Sequence, residues 1–562
     1  MEYKTIFVQL LHDQIGEHFE KAKIKRMLEK PKYEAIGDLA FPCFDLAKIY
    51  RKSPHQIAEE LMKNISWPPI FQQVEAVNGY INIFLNRNEV SAKVIHEILE
   101  KKAAFGQSSF GKNNVITIDF SSPNIAKPFS MGHLRSTVIG NSLALIAEKC
   151  GYQVIRINHL GDWGTQFGKL IVAYKMWGKE QVVKKNPIKE LLKLYIRFHE
   201  EAEHDESLNE AGRAWFKKLE NNHPEALELW KWFREESWKE FSKIYELLGV
   251  SFDSTDGEAF YNDKMDIVIK ELKDKGLLEE SEGAEIVELG ASYPPCLIKK
   301  KDGTTLYATR DLAAAIYRKN KYNSVKSLYV VGHEQSLHFK QIFLVLKKMG
   351  HEWYEGLEHV PFGMMLKNGK KMSTRKGKIV LLEEVLNDAI ELALENMEQK
   401  NPTLSSKEIV AQQVGTGAVI FHDLKNYRLN DVEFSLEEML KFEGDTGPYV
   451  QYTHARASAL LRKGNYKEIE WTEAQFDEEA WPIVKELIEF PEVIKRAYDG
   501  NDPSLIAKYV IQLSKKFNQY YGKVRILAES ENKQVRLSLV SAVQIVLREG
   551  LRLLGVDAPE EM

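Results

Sequence analysis

The chain has 562 residues, of which 44% are hydrophobic and 28% charged, and its formal net charge is −4 at pH 7. This length predicts about three or four domains, and the composition is typical of a soluble globular protein. No apolar run approaches the ~20 residues of a membrane-spanning helix, which argues against a bilayer-spanning protein. The net charge does not indicate a nucleic-acid partner, although such binding requires only a local basic surface.

The first residues and the cysteines predict a reducing, cytoplasmic location. The N-terminal sequence Met-Glu-Tyr-Lys-Thr-Ile lacks the basic region and hydrophobic core of a secretory signal. Cys43, Cys150 and Cys296 are too widely spaced for a disulfide framework or a Cys-x-x-Cys zinc site. We therefore expect each cysteine to pack as a small buried apolar side chain.

Residues 1–112 are predicted to form a small α/β domain. The segment Gly37–Pro42 precedes a helical pattern, and Ile81–Leu85 has the apolar composition of a strand. Glu75–Tyr80 is predicted to form the turn that leads into this strand.

A βαβ unit follows this domain. Val115–Phe120 is an apolar strand pattern, a helical pattern runs from Gly132 to about Lys149, and Gln153–Asn158 is a second strand pattern. The N–H groups and the dipole at the start of this helix favour a bound anion. Gly132 would allow a ligand to approach the backbone, and His133 can donate a hydrogen bond to a phosphate.

A basic segment lies far down the chain. The twelve residues from Lys367 to Lys378 hold six cationic side chains and no acidic one, and Gly369 and Gly377 indicate a flexible loop. Taken alone, such a run is more often a solvated surface loop. Together with the Gly-His helix start it predicts an ATP site, where cations stabilise a leaving pyrophosphate. The six cations are Lys367, Lys370, Lys371, Arg375, Lys376 and Lys378.

The catalytic domain is predicted over residues 113–385, with a charged helical insertion at about 179–289. Strand patterns at Cys296–Ile298 and Ser327–Val331 resume after the insertion. Two halves of a parallel sheet separated by an insertion predict a Rossmann-like fold.

Within the insertion, aromatic and apolar residues recur at three- and four-residue spacings from Leu229 to Leu248. This pattern predicts an amphipathic helix that ends at Gly249 and packs its aromatic face into a core.

The remaining residues, 386–562, are predicted to form an all-α domain. Apolar periodicities run through Trp481–Phe490, Leu505–Leu513 and Leu537–Leu554. Near its middle, cations alternate with aromatic residues, a pattern that suits an RNA-binding face and a bundle core about equally. These residues are Lys515, Lys516, Tyr520, Tyr521, Lys523 and Arg525.

The Gly-His helix start and the basic segment Lys370–Lys378 resemble the nucleotide-binding motifs of class I aminoacyl-tRNA synthetases, His-x-Gly-His and Lys-Met-Ser-Lys-Ser. The longer string Ser121–Thr137 resembles the arginyl-tRNA synthetases in particular. Further strings typical of that family extend the resemblance over almost the whole chain. They are Asn158–Gly168, Leu306–Asp311 and Asp445–Arg456.

Two positions depart from the family's motifs. Ser130 stands in place of the first His of His-x-Gly-His, and Thr374 stands in place of the second Lys of Lys-Met-Ser-Lys-Ser. Ser130 can donate a hydrogen bond but carries no charge. Lys370, Arg375 and Lys376 can supply the cation that is absent at Thr374.

The resemblance implies ATP-dependent attachment of arginine to tRNA through an arginyl-adenylate. It also implies Mg²⁺ bound with the nucleotide, without a protein ligand motif, and a monomeric enzyme. The N-terminal domain would contact the corner of the tRNA, and the C-terminal helical domain would bind the anticodon.

The resemblance also assigns candidate site residues. Asp119 and Asn124 would hold the α-amino group of arginine, Tyr307 and Asp311 would meet its guanidinium, and Gln335 would help to position it. The nucleotide-binding candidates are Ser130, Gly132, His133, Gly332, Glu334 and Lys371. The catalytic candidates are His133, Lys371, Ser373, Arg375 and Lys127.

More than one role stays open for three side chains in this region of the sequence pattern, Asp311, His159 and His338. Asp311 could instead form a structural salt bridge with Arg310 or Arg318. His159 follows a strand end and is as plausible a site residue as a structural one, whereas His338 is expected to be a packed or helix-start histidine.

Two other functions are compatible with parts of the pattern. A stand-alone nucleotidyltransferase can share the Gly-His helix start, but it has no need of a helical C-terminal domain of this size. A synthetase-like RNA-binding protein that has lost catalysis is a second alternative. The presence of His133, Lys371, Asp119 and Asp311 speaks against it.

Overall fold

A computed structural model of the chain describes residues 2–301, 307–372, 380–404, 406–467, 469, 471 and 474–562. The chain forms two compact units. The smaller unit contains residues 1–105, 457–489 and 515–546, and the larger contains residues 106–456, 490–514 and 547–562.

The first 105 residues of the smaller unit form a three-stranded antiparallel sheet with helices. Its strands are β1 (Leu39–Pro42), β2 (Phe71–Val77) and β3 (Tyr80–Leu85), in the order β1-β3-β2. The helices are α1 (Glu2–Ile15), α2 (Lys21–Met27), α3 (Phe44–Tyr50), α4 (Pro54–Asn64) and α5 (Arg87–Lys101).

The turn between β2 and β3 is shorter than the sequence pattern predicts. The expected turn Glu75–Tyr80 is wrong at both ends, because Val77 pairs with Tyr80 across a two-residue loop. Asn78 and Gly79 both have positive φ, 52° and 81°. Two consecutive residues of this kind form the tight hairpin turn that matches the twist of the strands.

The larger unit is built on a four-stranded parallel sheet in the order β10-β9-β4-β5. Its strands are β4 (Val115–Asp119), β5 (Gln153–Ile157), β9 (Lys326–Tyr329) and β10 (Leu357–His359), and α6 (Met131–Lys149) connects β4 to β5. The chain passes from β4 to one neighbour and later returns to the other side of β4. A crevice for ligands therefore opens at the carboxyl ends of β4 and β9.

Helix α6 packs tightly against the end of β4. Most of its side chains are buried, so it is a core helix and not a surface helix. A Cβ atom on Gly140 would lie 2.2 Å from the Phe120 ring, so only glycine allows this approach. The predicted bounds of this βαβ unit agree with the structure to within about a residue at each end.

The insertion between β5 and β9 is helical first and then forms a three-stranded antiparallel sheet. The prediction of a helical insertion to about residue 289 is therefore wrong in its last part, and the strand predicted at Cys296–Ile298 belongs to this sheet and not to the parallel one. The predicted amphipathic helix is present as α11, which ends just before Gly249 (φ +65°), and Phe233, Phe241 and Tyr245 on it are buried. The elements are α7 (Thr165–Trp177), α8 (Glu180–Lys185), α9 (Pro187–Ala202), α10 (Glu206–Glu220), α11 (Pro224–Leu247), α12 (Met265–Asp274), β6 (Glu279–Ser281), β7 (Ala284–Val287) and β8 (Cys296–Lys299).

Two helices flank the last two strands of the parallel sheet, and a small second sheet follows. The helices are α13 (Tyr307–Tyr322) and α14 (Ser336–Lys348). The small sheet has the order β12-β11-β13, with β11 (Met365–Lys367), β12 (Lys370–Lys371) and β13 (Val432–Glu433).

In the described residues from 380 onwards, the regular elements are helices apart from β13. Tyr520 is buried, and its hydroxyl donates a hydrogen bond to Asp477 Oδ2 at 3.0 Å, while Lys516 forms an ion pair with Glu486. These two residues therefore stabilise the helical bundle. Tyr521, in contrast, is 44% exposed. The helices are α15 (Leu382–Lys400), α16 (Lys407–Leu424), α17 (Leu436–Met439), α18 (Gly447–Gly464), α19 (Trp481–Asp499), α20 (Ser504–Lys523) and α21 (Lys533–Leu553).

The cysteine prediction is confirmed, because Cys43, Cys150 and Cys296 are free and buried. Burial raises the pKa of each thiol, to about 11 for Cys150 and about 12 for the other two. Among the described residues, no helix combines the length and the apolar character that a bilayer crossing requires.

Candidate active site

The crevice at the carboxyl ends of β4 and β9 is where the structure collects most of the predicted site residues. Asp119 is the last residue of β4, and the N–H of Val330 donates to its carbonyl oxygen at 2.8 Å, which holds the two strand ends together. The loop after Asp119 leads to the first turn of α6. Its geometry is fixed by Ser136, whose Oγ accepts from the N–H of Ser121 and donates to the carbonyl of Val330.

His133, in the first turn of α6, is a neutral hydrogen-bond donor. The backbone N–H of Ser130 points at its Nδ1 at 3.2 Å, so Nδ1 accepts and the ring proton lies on Nε2. Burial, together with the positive charge of Lys127, lowers the pKa of His133 to about 4, against the opposing effect of the hydrogen bond from Ser130. At neutral pH the imidazole is therefore uncharged and offers one N–H.

Two glycines of the predicted ATP site border open space. A Cβ on Gly132 would meet Ser130 Oγ at 3.5 Å, and a Cβ on Gly332 would come no closer than 4.0 Å to Phe362. Neither glycine has positive φ. Because neither the described fold nor the backbone angle requires glycine at these positions, the absent side chains leave room beside the helix start and the end of β9.

The remaining catalytic, nucleotide and arginine candidates come from three parts of the chain. Lys127 is partly buried, which lowers the pKa of its ammonium group. Glu334 and Gln335 belong to a short 3₁₀ helix that follows β9, and both are exposed. Ser373 and Arg375 lie outside the described residues, as does the rest of the basic segment from residue 373 onwards.

The start of the basic segment is a hairpin and not the loop that the glycines predicted. Strand β11 pairs with β12, so Lys367 opposes Lys370 and Leu366 opposes Lys371. The two turn residues, Asn368 and Gly369, have φ of 53° and 68°, again a tight hairpin turn. Both turn N–H groups donate to the carboxylate of Glu433, in the strand on the other side of β11. The side chain of Lys371 lies outside the described part of the structure.

Asp311 is placed on α13 as predicted, one turn from Tyr307. Tyr307 is 61% exposed at the start of the helix. The Asp311 carboxylate accepts a hydrogen bond from His338 Nε2 at 2.6 Å, and His159 Nε2 lies 3.8 Å from its other oxygen. Its direct partners are thus two histidines and not Arg310 or Arg318. His338 lies in the first turn of α14, as expected of a helix-start histidine, and in addition donates this hydrogen bond.

Burial alone would raise the pKa of the Asp311 carboxyl. The hydrogen bond from His338 and the nearby charges of His338, His159 and Arg318 outweigh burial, so the pKa lies below its ordinary value. The carboxylate is therefore ionised throughout the neutral range and able to attract a cation.

Asp119 and Arg318 form a buried ion pair on the other side of this cluster. Arg318 Nη1 donates to Asp119 Oδ2 at 2.6 Å, and Ser122 Oγ donates to Asp119 Oδ1 at 3.1 Å. Arg318 Nη2 also donates to His159 Nδ1 at 3.1 Å, because a guanidinium has only donors. Asp119 thus reaches Asp311 through Arg318 and His159.

Asn124 is fixed beside the loop that follows β5. It bridges to Gly161, and a Cβ on Gly161 would lie 2.3 Å from Asn124 Oδ1. This glycine is required by close approach, and it sets the side chain of Asn124 in the loop between Asp119 and α6.

Glu258 is a second carboxylate in this region that was not predicted from the sequence. Burial raises its pKa to about 7, and the negative charges of Asp311 and Asp162 act in the same direction. Its backbone N–H donates to Leu160, its side chain accepts from the N–H of Trp163, and the next residue is held by Asp162. No motif marks Glu258; only its proximity to Asp311 does.

Three family models match the chain, in the order of the predicted domains. They are the arginyl tRNA synthetase N-terminal domain over residues 1–85, the class I (R) tRNA synthetase catalytic domain over 94–436, and the DALR anticodon-binding domain over 450–562. The predicted boundaries at 112 and 385 stay predictions.

Curated relatives match over the full length. The chain is 60% identical to Arginine--tRNA ligase 2 of Bacillus anthracis and 58% identical to Arginine--tRNA ligase of Enterococcus faecalis, each covering 100% of both chains. Among solved structures, arginyl-tRNA synthetase from Plasmodium falciparum superposes with a TM-score of 0.81 at 26% identity, over 100% of this chain and 98% of that one. The Thermus thermophilus arginyl-tRNA synthetase shares the fold, with a TM-score of 0.82 at 24% identity over 100% of both chains.

Proposed function

The chain belongs to the arginyl-tRNA synthetase family, and from that premise we propose that it joins L-arginine to its cognate tRNA with ATP, for protein synthesis. The observation that supports the proposal is the ionised Asp311 carboxylate, held in the crevice that also contains the helix start where we expect phosphate to bind. An anion for a guanidinium and donors for a nucleotide thus belong to one crevice.

The reaction has two steps. An oxygen of the arginine carboxylate attacks the α-phosphorus of ATP, a new P–O bond forms, and the bond to the β-phosphate oxygen breaks to release pyrophosphate. A hydroxyl of the 3′-terminal adenosine of tRNA then attacks the activated carbonyl carbon, and AMP leaves. Positioning and charge stabilisation suffice for both steps, so no covalent protein nucleophile is needed.

The nucleotide would lie at the N-terminus of α6. His133 would donate its Nε2–H to a phosphate as a neutral group, and Gly132 and Gly332 would leave room for the nucleotide. Glu334 would accept from the ribose, and the Ser130 hydroxyl would supply a further donor.

The cationic residues would act on the pyrophosphate. Lys127, Lys371 and Arg375, with Ser373, are proposed to stabilise the charge that develops on the leaving group. Mg²⁺ would arrive as the counter-ion of ATP, held mainly by phosphate oxygens and water. Among the described residues, no cluster of three or more His, Cys, Asp or Glu side chains is arranged to hold a metal.

The arginine guanidinium would lie between carboxylates on neighbouring elements. Asp311 would pair with its planar donors, Tyr307 would cover it, and Glu258 would provide a second negative charge once it is ionised. A compact lysine ammonium cannot satisfy the same fork geometry. Asn124 and Gln335 are proposed to orient the α-amino end.

The role that we propose for Asp119 in binding the α-amino group is less direct than the one that the resemblance implied. Both of its oxygens already accept hydrogen bonds, from Arg318 and Ser122. We infer that it acts on the α-amino group by its negative charge and by the remaining lone pairs of its carboxylate.

The tRNA would contact the N-terminal domain at its corner and the helical C-terminal domain at its anticodon. A cytoplasmic monomer is the proposed form.

The proposal is tested by amino-acid-dependent exchange of pyrophosphate into ATP, with and without tRNA. Exchange with arginine alone among the amino acids is the expected result, and the arm with tRNA is the decisive one. Exchange that needs another substrate would favour a different nucleotidyltransferase. The absence of any exchange, together with retained tRNA binding, would favour a protein that has lost catalysis.

A further inference from the structure

Two imidazole rings lie beside the Asp311 carboxylate, one near each of its oxygens. His338, on α14, donates from Nε2 to Asp311 Oδ2 at 2.6 Å, and His159, after β5, faces Oδ1 at 3.8 Å. The three side chains are 29%, 25% and 15% exposed for Asp311, His338 and His159. The carboxylate is thus partly open to the crevice while its protein-facing side is occupied.

The direction of each proton follows from the partners. The ionised carboxylate is an acceptor only, so His338 Nε2 carries the proton. Arg318 donates to His159 Nδ1, so the proton of His159 lies on Nε2 and points towards Asp311. Arg318 is in turn anchored by Asp119 at 2.6 Å. Both imidazoles therefore present an N–H to the same carboxylate.

Of the two rings, His338 is the one that makes a direct hydrogen bond to the Asp311 carboxylate. An ionised carboxylate has about four lone-pair positions, and His338 uses one of them. Enough acceptor capacity remains for the two parallel N–H donors of a guanidinium. Bidentate pairing, however, requires the carboxylate plane to be fixed, since a rotated carboxylate meets only one donor.

The rings are themselves held by the fold. His338 lies next to Phe339, which is buried and stacks on His359, and His159 packs against the Tyr261 ring at 5.5 Å. These contacts restrict the positions that the two N–H groups can take. The orientation of Asp311 is consequently set by α14 and by the loop after β5 as well as by α13.

We propose that His338 is a positioning residue for amino-acid selection, whose Nε2–H fixes the plane of the Asp311 carboxylate so that it receives a guanidinium in a bidentate pair. The inference rests on the proposed function, because it concerns how the same crevice selects arginine. His338 does not itself touch the substrate in this arrangement.

The test compares three full-length variants in the pyrophosphate exchange assay with tRNA present. His338→Gln places an amide N–H at about the reach of the imidazole Nε2, whereas His338→Leu fills the space without a donor. His204→Leu is the matched control, since His204 is an exposed histidine in the insertion. The KM values for arginine and for ATP are measured separately, and so is the relative use of citrulline, the neutral analogue of arginine.

We expect His338→Leu to raise the arginine KM about tenfold, the effect of one hydrogen bond to a charged group, and to leave the ATP KM unchanged. It should also reduce the preference for arginine over citrulline. His338→Gln should restore most of both properties, and His204→Leu should match the parent protein. A merely structural role would move both KM values together.

Two results would overturn the inference while leaving the proposed function intact. One is an arginine KM in His338→Leu that equals that of the parent protein. The other is an equal rise in His338→Gln and His338→Leu, which would show that the ring shape matters and the donor does not. Failure of the parent protein to exchange pyrophosphate with arginine would instead refute the proposed function itself.

Discussion

Replacing Asp311 by Asn isolates the charge in the proposed arginine pocket. The side chain keeps its shape and keeps an oxygen that can accept from His338, so the local structure should be preserved. What is lost is the negative charge opposite the guanidinium. Removal of one partner from a desolvated charge pair costs about 2–5 kcal/mol.

The expected loss of binding free energy depends on how exposed the Asp311 side chain is to solvent. Asp311 is 29% exposed, so solvent screens part of the interaction and the lower half of that range applies, about 3 kcal/mol. This corresponds to a rise of roughly 100-fold in the arginine KM. The ATP KM should change little, because the nucleotide would bind at the start of α6.

The assay is arginine-dependent pyrophosphate exchange in the presence of tRNA, with the arginine and ATP concentrations varied separately. Asp263→Asn is the control, since the Asp263 side chain is 80% exposed and pairs only with its neighbour Lys264 among the described ion pairs. Thermal unfolding of Asp311→Asn should stay close to that of the parent protein. An arginine KM within threefold of the parent value would show that Asp311 does not pair with the guanidinium.

Three further outcomes follow from other contacts. Because the pKa of Glu258 is about 7, its carboxyl changes from mostly protonated to mostly ionised between about pH 6 and about pH 8, so the arginine KM should fall over this range, and Glu258→Gln should flatten this profile. Arg135 pairs with the Asp423 carboxylate at 2.9 Å, and Arg135→Met leaves this carboxylate buried without its partner. The substitution should lower the free energy of unfolding by about 3–5 kcal/mol, so that the protein unfolds at a lower urea concentration. An unchanged urea transition would contradict this expectation. Gly140→Ala should cost about 1–3 kcal/mol through its clash with Phe120, measured by thermal unfolding, and a midpoint equal to that of the parent would show that α6 can shift freely.

The elements that depend on local patterns were predictable from the sequence. The strand, helix and strand around α6 follow from hydrophobic periodicity, and the end of α11 follows from Gly249, whose positive φ stops the helix. The two hairpin turns at 78–79 and 368–369 were missed. In each, two residues with positive φ reverse the chain, and a pattern that marks only a polar or glycine-containing stretch does not distinguish such a turn from a longer loop.

The residues of the candidate site likewise divide into those that local sequence patterns predicted and those that they did not. The start of α6, proposed to bind phosphate, is a local feature, and Asp311 was identified through its motif and its helix. The partners of Asp311 were not predictable, because His338 is 27 residues away and lies on a different helix. Glu258 was also missed, since no neighbouring residue distinguishes it from the other acids of a charged insertion.

By itself, the sequence determined the local elements, the order of the domains and the family, because these depend on periodicity and on short strings of residues. Only the tertiary structure decided how the charges of the crevice are arranged. Asp119 meets Arg318 across 199 residues, and this pair holds His159 towards Asp311. Such contacts depend on how parallel strands bring their carboxyl ends together, and no short-range pattern in the chain encodes that juxtaposition.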